Sequence, residues 1–147
     1  MNKPKLLFKK LLAAAVLPSY QTKAASGFDF CSTERVILKA GEVKLVPTGL
    51  SVEIPEGYEL QVRARSGLAA KKGVFLVNGI GTIDADYRGE IKIIMSTCSS
   101  EPVILEAGER VAQGVLMAVE QAEISEATEL SETERGSGGF GSTGTIS

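Results

Sequence analysis

The chain has no histidine. That excludes Ser-His-Asp and Cys-His nucleophilic catalysis and removes the usual nitrogen ligand for zinc. Cysteine is nearly as scarce. Cys31 and Cys98 are too few for a metal cluster or a disulfide framework. They read as free thiols of a reducing compartment such as the cytoplasm, a single disulfide being the alternative. A basic excess is also missing: 16 Lys and Arg stand against 18 Asp and Glu, a net charge of −2. No nucleic-acid and no membrane-surface partner is expected from such a balance. No apolar run approaches the roughly 18 residues of a membrane span. Aromatics make up only 5 % of 147 residues. The length suits one domain with a modest core of its own. Chemistry must then rest on carboxylates, Arg, Lys, hydroxyls and backbone amides, with a hard cation such as Mg²⁺ as a possible helper.

The N-terminus carries Lys3, Lys5, Lys9 and Lys10 before a short apolar run, Leu11 to Leu17. That run is at the short limit for a secretory signal, about 7 residues, and Pro18 ends it. A first strand of the domain followed by a loop is the expectation. Further strands are expected at Glu42 to Val46, Ser51 to Ile54, Tyr58 to Arg65, Val103 to Glu106 and Glu109 to Val119. The first three alternate with period two, and Gly/Pro turns separate the strands. Between Ser66 and Gly73 one short helix is expected, with Ser66 as N-cap and Gly73 closing it. Gly114, inside the last strand, marks a bulge or a close approach. Many short strands mean an all-β barrel, sandwich or jelly roll.

The densest chemistry lies in Gly81-Thr82-Ile83-Asp84-Ala85-Asp86-Tyr87-Arg88-Gly89-Glu90-Ile91. Two carboxylates, a phenol and a guanidinium fall within five residues. Apolar runs flank the stretch, which predicts the tip of a β-hairpin with Asp84 and Asp86 on one side where the chain is extended. At the other end, Arg135 to Gly144 is too rich in glycine to bury a core. It is expected to be flexible when free, with its exposed amides, short hydroxyls, one Arg and one Phe suited to ordering on a ligand.

Five segments, in this order and spacing, resemble the five motifs of the trimeric dUTPases. They are Ala25 to Phe30, Arg65-Ser66-Gly67-Leu68-Ala69, Asn78 to Glu90, Gly108 to Gln113, and Arg135 to Gly144. Leu17 to Thr22 and Val46 to Leu50 extend the resemblance over essentially the whole chain. It implies an all-β jelly roll with one short helix: a jelly-roll domain over 1–130 and a flexible C-terminal arm over 131–147. It implies hydrolysis of dUTP to dUMP and pyrophosphate with Mg²⁺. It implies a homotrimer whose sites are shared: the first, second and fourth motifs of one subunit meet the third of a neighbour, and the fifth comes from the remaining subunit.

Residue by residue, the resemblance gives Asp84 the orienting and deprotonating of the attacking water. Tyr87 would pack under the deoxyribose and reject a 2′-hydroxyl. Asn78, with the backbone from Gly79 through Gly81 to Ile83, would read uracil. Asp29 would hold Mg²⁺ through its water shell. Arg65, Ser66, Gly67 and Gln113 would contact the phosphates, with Arg110 left open between that role and a structural ion pair. Phe140 and Gly141 would lie by the base, and Arg135, Ser142 and Thr143 would grip the γ-phosphate. Three positions depart from the family's usual residues: Phe30 for leucine, Ile80 for proline, and Gly114 for a larger apolar residue. The rivals are a dCTP deaminase-like enzyme, which shares the fold, and a non-catalytic trimeric nucleotide-binding regulator. The DADYRGE stretch and the Phe-containing tail speak against both.

Overall fold

The computed structural model describes residues 3–142. Every strand pairing in it is antiparallel. The first strand, β1 (Leu7–Lys10), pairs with β5 (Leu50–Glu53), and β3 (Val36–Leu38) with β10 (Val103–Leu105). A three-stranded sheet runs β4 (Lys44–Pro47), β9 (Lys92–Thr97), β7 (Val74–Leu76). A four-stranded sheet runs β2 (Phe28–Cys31), β11 (Arg110–Ala118), β6 (Tyr58–Ala64), β8 (Gly81–Ile83). Among the described residues there is one helix, α1 (Ser66–Lys72). This is the expected all-β jelly roll. The N-terminal run is part of it, since β1 is paired along its length and Ala15 is buried.

Alternation along the strands builds the core. Phe30, Leu38, Leu50, Leu60, Ile93, Met95 and Leu105 are almost wholly excluded from water. Each such side chain contributes about 1.5–3 kcal/mol relative to exposure. On β6, Leu60 and Val62 point inward while Gln61 and Arg63 point outward, as the period-two pattern requires.

Two local expectations are corrected, and the alternative left open at Gly114 is resolved. On β4 the alternation faces the other way. Val46 is buried, whereas Val43 and Leu45 are 58 % and 61 % exposed. The reason is pairing: Leu45 sits opposite Ile94 and Phe75 opposite Ser96, on the sheet face that the core does not cover. At α1 the N-cap is Arg65, in extended backbone and without a side-chain cap, so Ser66 is the first helical residue. Among the described residues its hydroxyl has no hydrogen-bond partner. Gly73 does close the helix in left-handed conformation. Finally, Gly114 is no bulge. It pairs regularly with Phe28 and Val62, and the bulge lies at Val111, between Arg110 and Ala112. What Gly114 allows is close approach: a Cβ there would stand 2.5 Å from Phe28 Cε2 and 2.8 Å from Phe30 Cε2.

Candidate active site

The Gly81–Ile91 stretch is not the tip of a simple hairpin. β7 and β9 pair with each other, but the chain between them leaves their sheet and forms β8 against β6. A turn at Leu76–Gly79 starts this excursion, with Gly79 N–H donating to Leu76 O at 3.0 Å and Gly79 at φ 70°. β8 ends at Ile83, and the chain then turns, Tyr87 N–H donating to Asp84 O at 3.1 Å. Asp84 and Asp86 are therefore not on one face of an extended strand. Sequence pattern finds apolar flanks, but it does not say which strand they pair with.

The excursion borders a half-open cavity of about 430 Å³. Asn78, Gly81, Ile83, Asp84 and Tyr87 all line it. Gly81 packs against Val62 and Asn78, where a Cβ would stand 3.2 Å from Val62 Cβ and 3.5 Å from Asn78 Nδ2. Ile83 is half-buried and packs on the core, with Val62 completing the cavity floor. Leu45 and Ile94, from the uncovered face of the three-stranded sheet, form one wall. Glu90 lines the cavity as well, and the sequence assigned it no role. Its only signal was membership of the motif. Arg88 braces the loop, donating to Ala85 O at 2.7 Å and Tyr87 O at 3.1 Å.

A second cluster sits on the four-stranded sheet. Asp29 on β2, Gln113 on β11 and Arg63 on β6 are cross-strand neighbours in one row. Residues directly opposite share a face. The bulge at Val111 shifts the parity of β11, so Arg110 comes to this face too. Arg110 Nη1 donates to Asp29 Oδ2 at 3.1 Å, and Arg65 Nε lies 3.3 Å from Asp29 Oδ1. Arg65 Nη1 also donates to Arg110 O at 2.8 Å. Of the two roles the sequence left open for Arg110, the ion pair with Asp29 is present in the structure. Gln113 Nε2 donates to Ala64 O at 2.9 Å, next to the start of α1. Its Oε1 faces Gly27, where a Cβ would be only 2.8 Å away. Gly67 is different. It has no left-handed φ, and a Cβ there would meet nothing within 4 Å, so the chain itself does not demand a glycine. Cys31 borders this cluster as a free thiol, and partial burial, with Asp29 nearby, pushes its pKa up.

Asp29, Arg65, Ser66, Gly67 and Gln113 do not line the cavity that holds Asp84. One chain therefore carries two half-sets of groups that it does not unite. Among the described residues, no hydrogen bond joins residues 135–142 to either half-set. Arg135 Nε donates to Gly138 O at 2.8 Å, Ser142 N–H to Gly139 O at 3.0 Å, and the Phe140 ring is fully exposed beside Gly141. Thr143 lies outside the described residues.

Asp29 is the carboxylate of this second cluster, between Arg65 and Arg110. Among the described residues no group of three or more acidic or thiol side chains could hold a metal directly. Asp29 is 15 % exposed, and each of its oxygens already takes one guanidinium. Each keeps a second lone pair. This donor set fits a Mg²⁺ that is bound mainly by ligand oxygens and water, with Asp29 accepting from a metal-bound water.

The dUTPase family model matches residues 13–144. A deoxyuridine 5'-triphosphate nucleotidohydrolase of Nautilia profundicola is 57 % identical over 140 residues, 95 % of this chain and 99 % of that protein. Another, of a Hydrogenobaculum species, is 56 % identical over 141 residues, 95 % and 98 % of the two chains. Among solved structures, the Staphylococcus bacteriophage 80alpha dUTPase with dUPNHPP superposes at a TM-score of 0.83 and 29 % identity, covering 96 % of this chain and 99 % of that chain.

Proposed function

The chain belongs to the dUTPase family, and on that premise we propose that it hydrolyses dUTP to dUMP and pyrophosphate by attack of an Asp84-activated water on the α-phosphorus. The observation that carries this reading is the single cavity shared by Asn78, Asp84 and Tyr87. A base reader, a carboxylate and an aromatic ring are gathered there at nucleoside scale.

In the proposed mechanism Asn78 and the backbone around Gly81 pair the uracil edge, and Ile83 packs its own loop or the sugar. A site built for that edge leaves its polar groups unpaired against cytosine. The Tyr87 ring lies against the deoxyribose and leaves no room for a 2′-hydroxyl. Asp84 orients the water and takes its proton. Arg65, the free Ser66 hydroxyl, the Gly67 amide and Gln113 hold the phosphate chain. The absence of any steric demand for glycine at Gly67 supports a close approach of ligand there. Asp29 would hold Mg²⁺ through its water shell, and the ion would neutralise phosphate charge.

Because the two half-sets stay apart in one chain, the working unit is a homotrimer in which neighbours complete each other's sites. The exposed Leu45 and Phe75, with half-buried Ile94 opposite Leu45, support assembly, since they form an apolar face that a partner subunit would cover. Residues 131–147 act as a separate arm beyond the 1–130 jelly roll. Arg135, Ser142 and Thr143 close on the γ-phosphate, with Phe140 and Gly141 over the base. The enzyme works in the cytoplasm, which its two free thiols suit. It keeps uracil out of DNA and supplies dUMP for dTMP synthesis.

The test is turnover of dUTP with Mg²⁺ in ¹⁸O-water, with dCTP, dTTP and UTP alongside. Label in dUMP and none in pyrophosphate is expected, with the other three nucleotides poor substrates. Label in pyrophosphate, or deamination of dCTP, would overturn the reading.

A further inference from the structure

The Tyr87 ring is held in place by a chain of contacts that ends far from the third motif, in the turn at Thr48-Gly49. The phenol Oη donates to Glu90 O at 3.0 Å. Gly89 makes this possible, since a Cβ there would fall within the Tyr87 phenol. Gly89 is not in the left-handed region, so its need for glycine is one of space and not of φ. The ring is thus fixed relative to the backbone of residues 89–90, and its accuracy is only as good as that backbone's.

That backbone is itself tied down. The Glu90 carboxylate is mostly buried, and its Oε1 accepts the Gly49 N–H at 3.0 Å. One residue on, Ile91 O accepts from the Thr48 hydroxyl at 2.6 Å and from Thr48 N–H at 3.3 Å. Ile91 N–H donates to Leu50 O at 2.8 Å, and Leu50 N–H donates back to the Thr48 hydroxyl at 3.3 Å. Thr48 is fully buried. Its hydroxyl therefore uses both its donor and an acceptor on the two strands it joins. Gly49 is fixed in turn. It has φ 65°, and a Cβ would stand 2.9 Å from Thr33 Cγ2 and 3.0 Å from Ala15 Cβ. Its carbonyl accepts Leu11 N–H at 2.8 Å.

We infer that Glu90 and Thr48 are positioning residues for Tyr87 and so set discrimination between deoxyribose and ribose. The inference rests on the proposed contact of Tyr87 with the sugar and names what holds that contact to tolerance. The outer ion pair of Glu90, with Lys92 Nζ at 3.6 Å, is half-exposed on the lysine side and adds little. What matters at Glu90 is an acceptor for Gly49 N–H, not a charge. What matters at Thr48 is a hydroxyl, not a methyl. A displacement on the order of 1 Å can cost about a hundredfold where geometry is demanding. Rejection of one hydroxyl by contact alone is the kind of discrimination that such a shift erodes.

The experiment measures kcat/KM for dUTP and for UTP in the wild type, Glu90→Ala, Glu90→Gln, Thr48→Val and Thr48→Ser, with thermal melts of each. The dUTP-to-UTP ratio is expected to fall at least about tenfold in Glu90→Ala and Thr48→Val, on the scale of such steric discrimination. It should stay near wild type in Glu90→Gln and Thr48→Ser. Should Thr48→Val fail to fold, the Glu90 pair decides alone. An unchanged ratio in folded Glu90→Ala, or an equal loss in Glu90→Gln, overturns the inference while leaving dUTP hydrolysis intact. A wild type that does not turn over dUTP, or that accepts UTP equally, overturns the underlying reading instead.

Discussion

Phe30 occupies space that a Cβ on Gly114 would need: its Cε2 would be 2.8 Å from that atom. The two positions read in the sequence as departures from the dUTPase pattern lie side by side in the structure. A larger ring on β2 is matched by a smaller residue on β11. Phe28, 5.6 Å from Phe30 between ring centroids in an edge-to-face contact, fills the rest of the space.

Gly114→Ala should therefore destabilise the protein by about 1–3 kcal/mol, the usual cost of overpacking a full core. In a Phe30→Leu background the loss should be smaller but not zero, because Phe28 remains. Chemical denaturation of the double-mutant cycle measures the coupling. A Gly114→Ala protein as stable as the wild type would show that the rings give way freely.

Asp29 is predicted to matter for metal dependence more than for folding. Its arginine partners are partly solvated, so the ion pairs are worth about 1 kcal/mol or less each. Asp29→Asn should remain folded yet need more Mg²⁺ for its half-maximal rate, and chelation of Mg²⁺ should slow the wild type sharply. A titration in which both proteins share one Mg²⁺ midpoint would contradict the role.

Removal of the chain from Arg135 onward should leave the fold and some nucleotide binding intact while nearly abolishing hydrolysis. The polar contacts found for Arg135, Gly138 and Ser142 are to neighbours within this stretch, so the jelly roll does not depend on them. The reference measurement is limited proteolysis at Arg135, with and without a non-hydrolysable dUTP analogue and Mg²⁺. Protection by ligand is expected; equal cleavage together with full activity of the clipped protein would refute it.

Much of this was legible in the sequence because it depends on local pattern. The alternation of Tyr58 to Ala64 gave β6 and its inward face, and Gly73 marked the end of α1. Asn78, Gly81, Ile83, Asp84 and Tyr87 of the third motif do line one cavity. What escaped depends on pairing across the chain. The partner of Gly81–Ile83 is β6, not a neighbour in sequence. Val43 and Leu45 obey the strand period but face outward, since period two does not say which face is buried. Arg110 reaches Asp29 only because a bulge at Val111 changes parity. Thr48 and Glu90 lie 42 positions apart and carry ordinary turn residues between them and their partners, so no motif links them.

The two thiols should differ in reactivity. Cys98 is exposed, while Cys31 is partly covered and its pKa is raised by burial and then by the Asp29 carboxylate. A raised pKa leaves less thiolate at neutral pH, and the thiolate is the nucleophile. Iodoacetamide at neutral pH, followed by peptide mass mapping, should label Cys98 first, with labelling of Cys31 catching up only as pH rises. Labelling of Cys31 ahead of Cys98 would contradict this.

Asp84 and the tail are proposed to serve one site from different subunits, and this can be measured by mixing two inactive proteins. Asp84→Ala should be at least about 100-fold slower than the wild type, the low end of general-base effects. A chain ending before Arg135 should be comparably poor. After subunit exchange, mixed trimers contain a site with an intact Asp84 from one variant and an intact tail from the other. dUTP hydrolysis by the mixture is therefore predicted to rise well above that of either variant alone. A mixture that exchanges subunits yet remains as inactive as its parts would contradict the shared site.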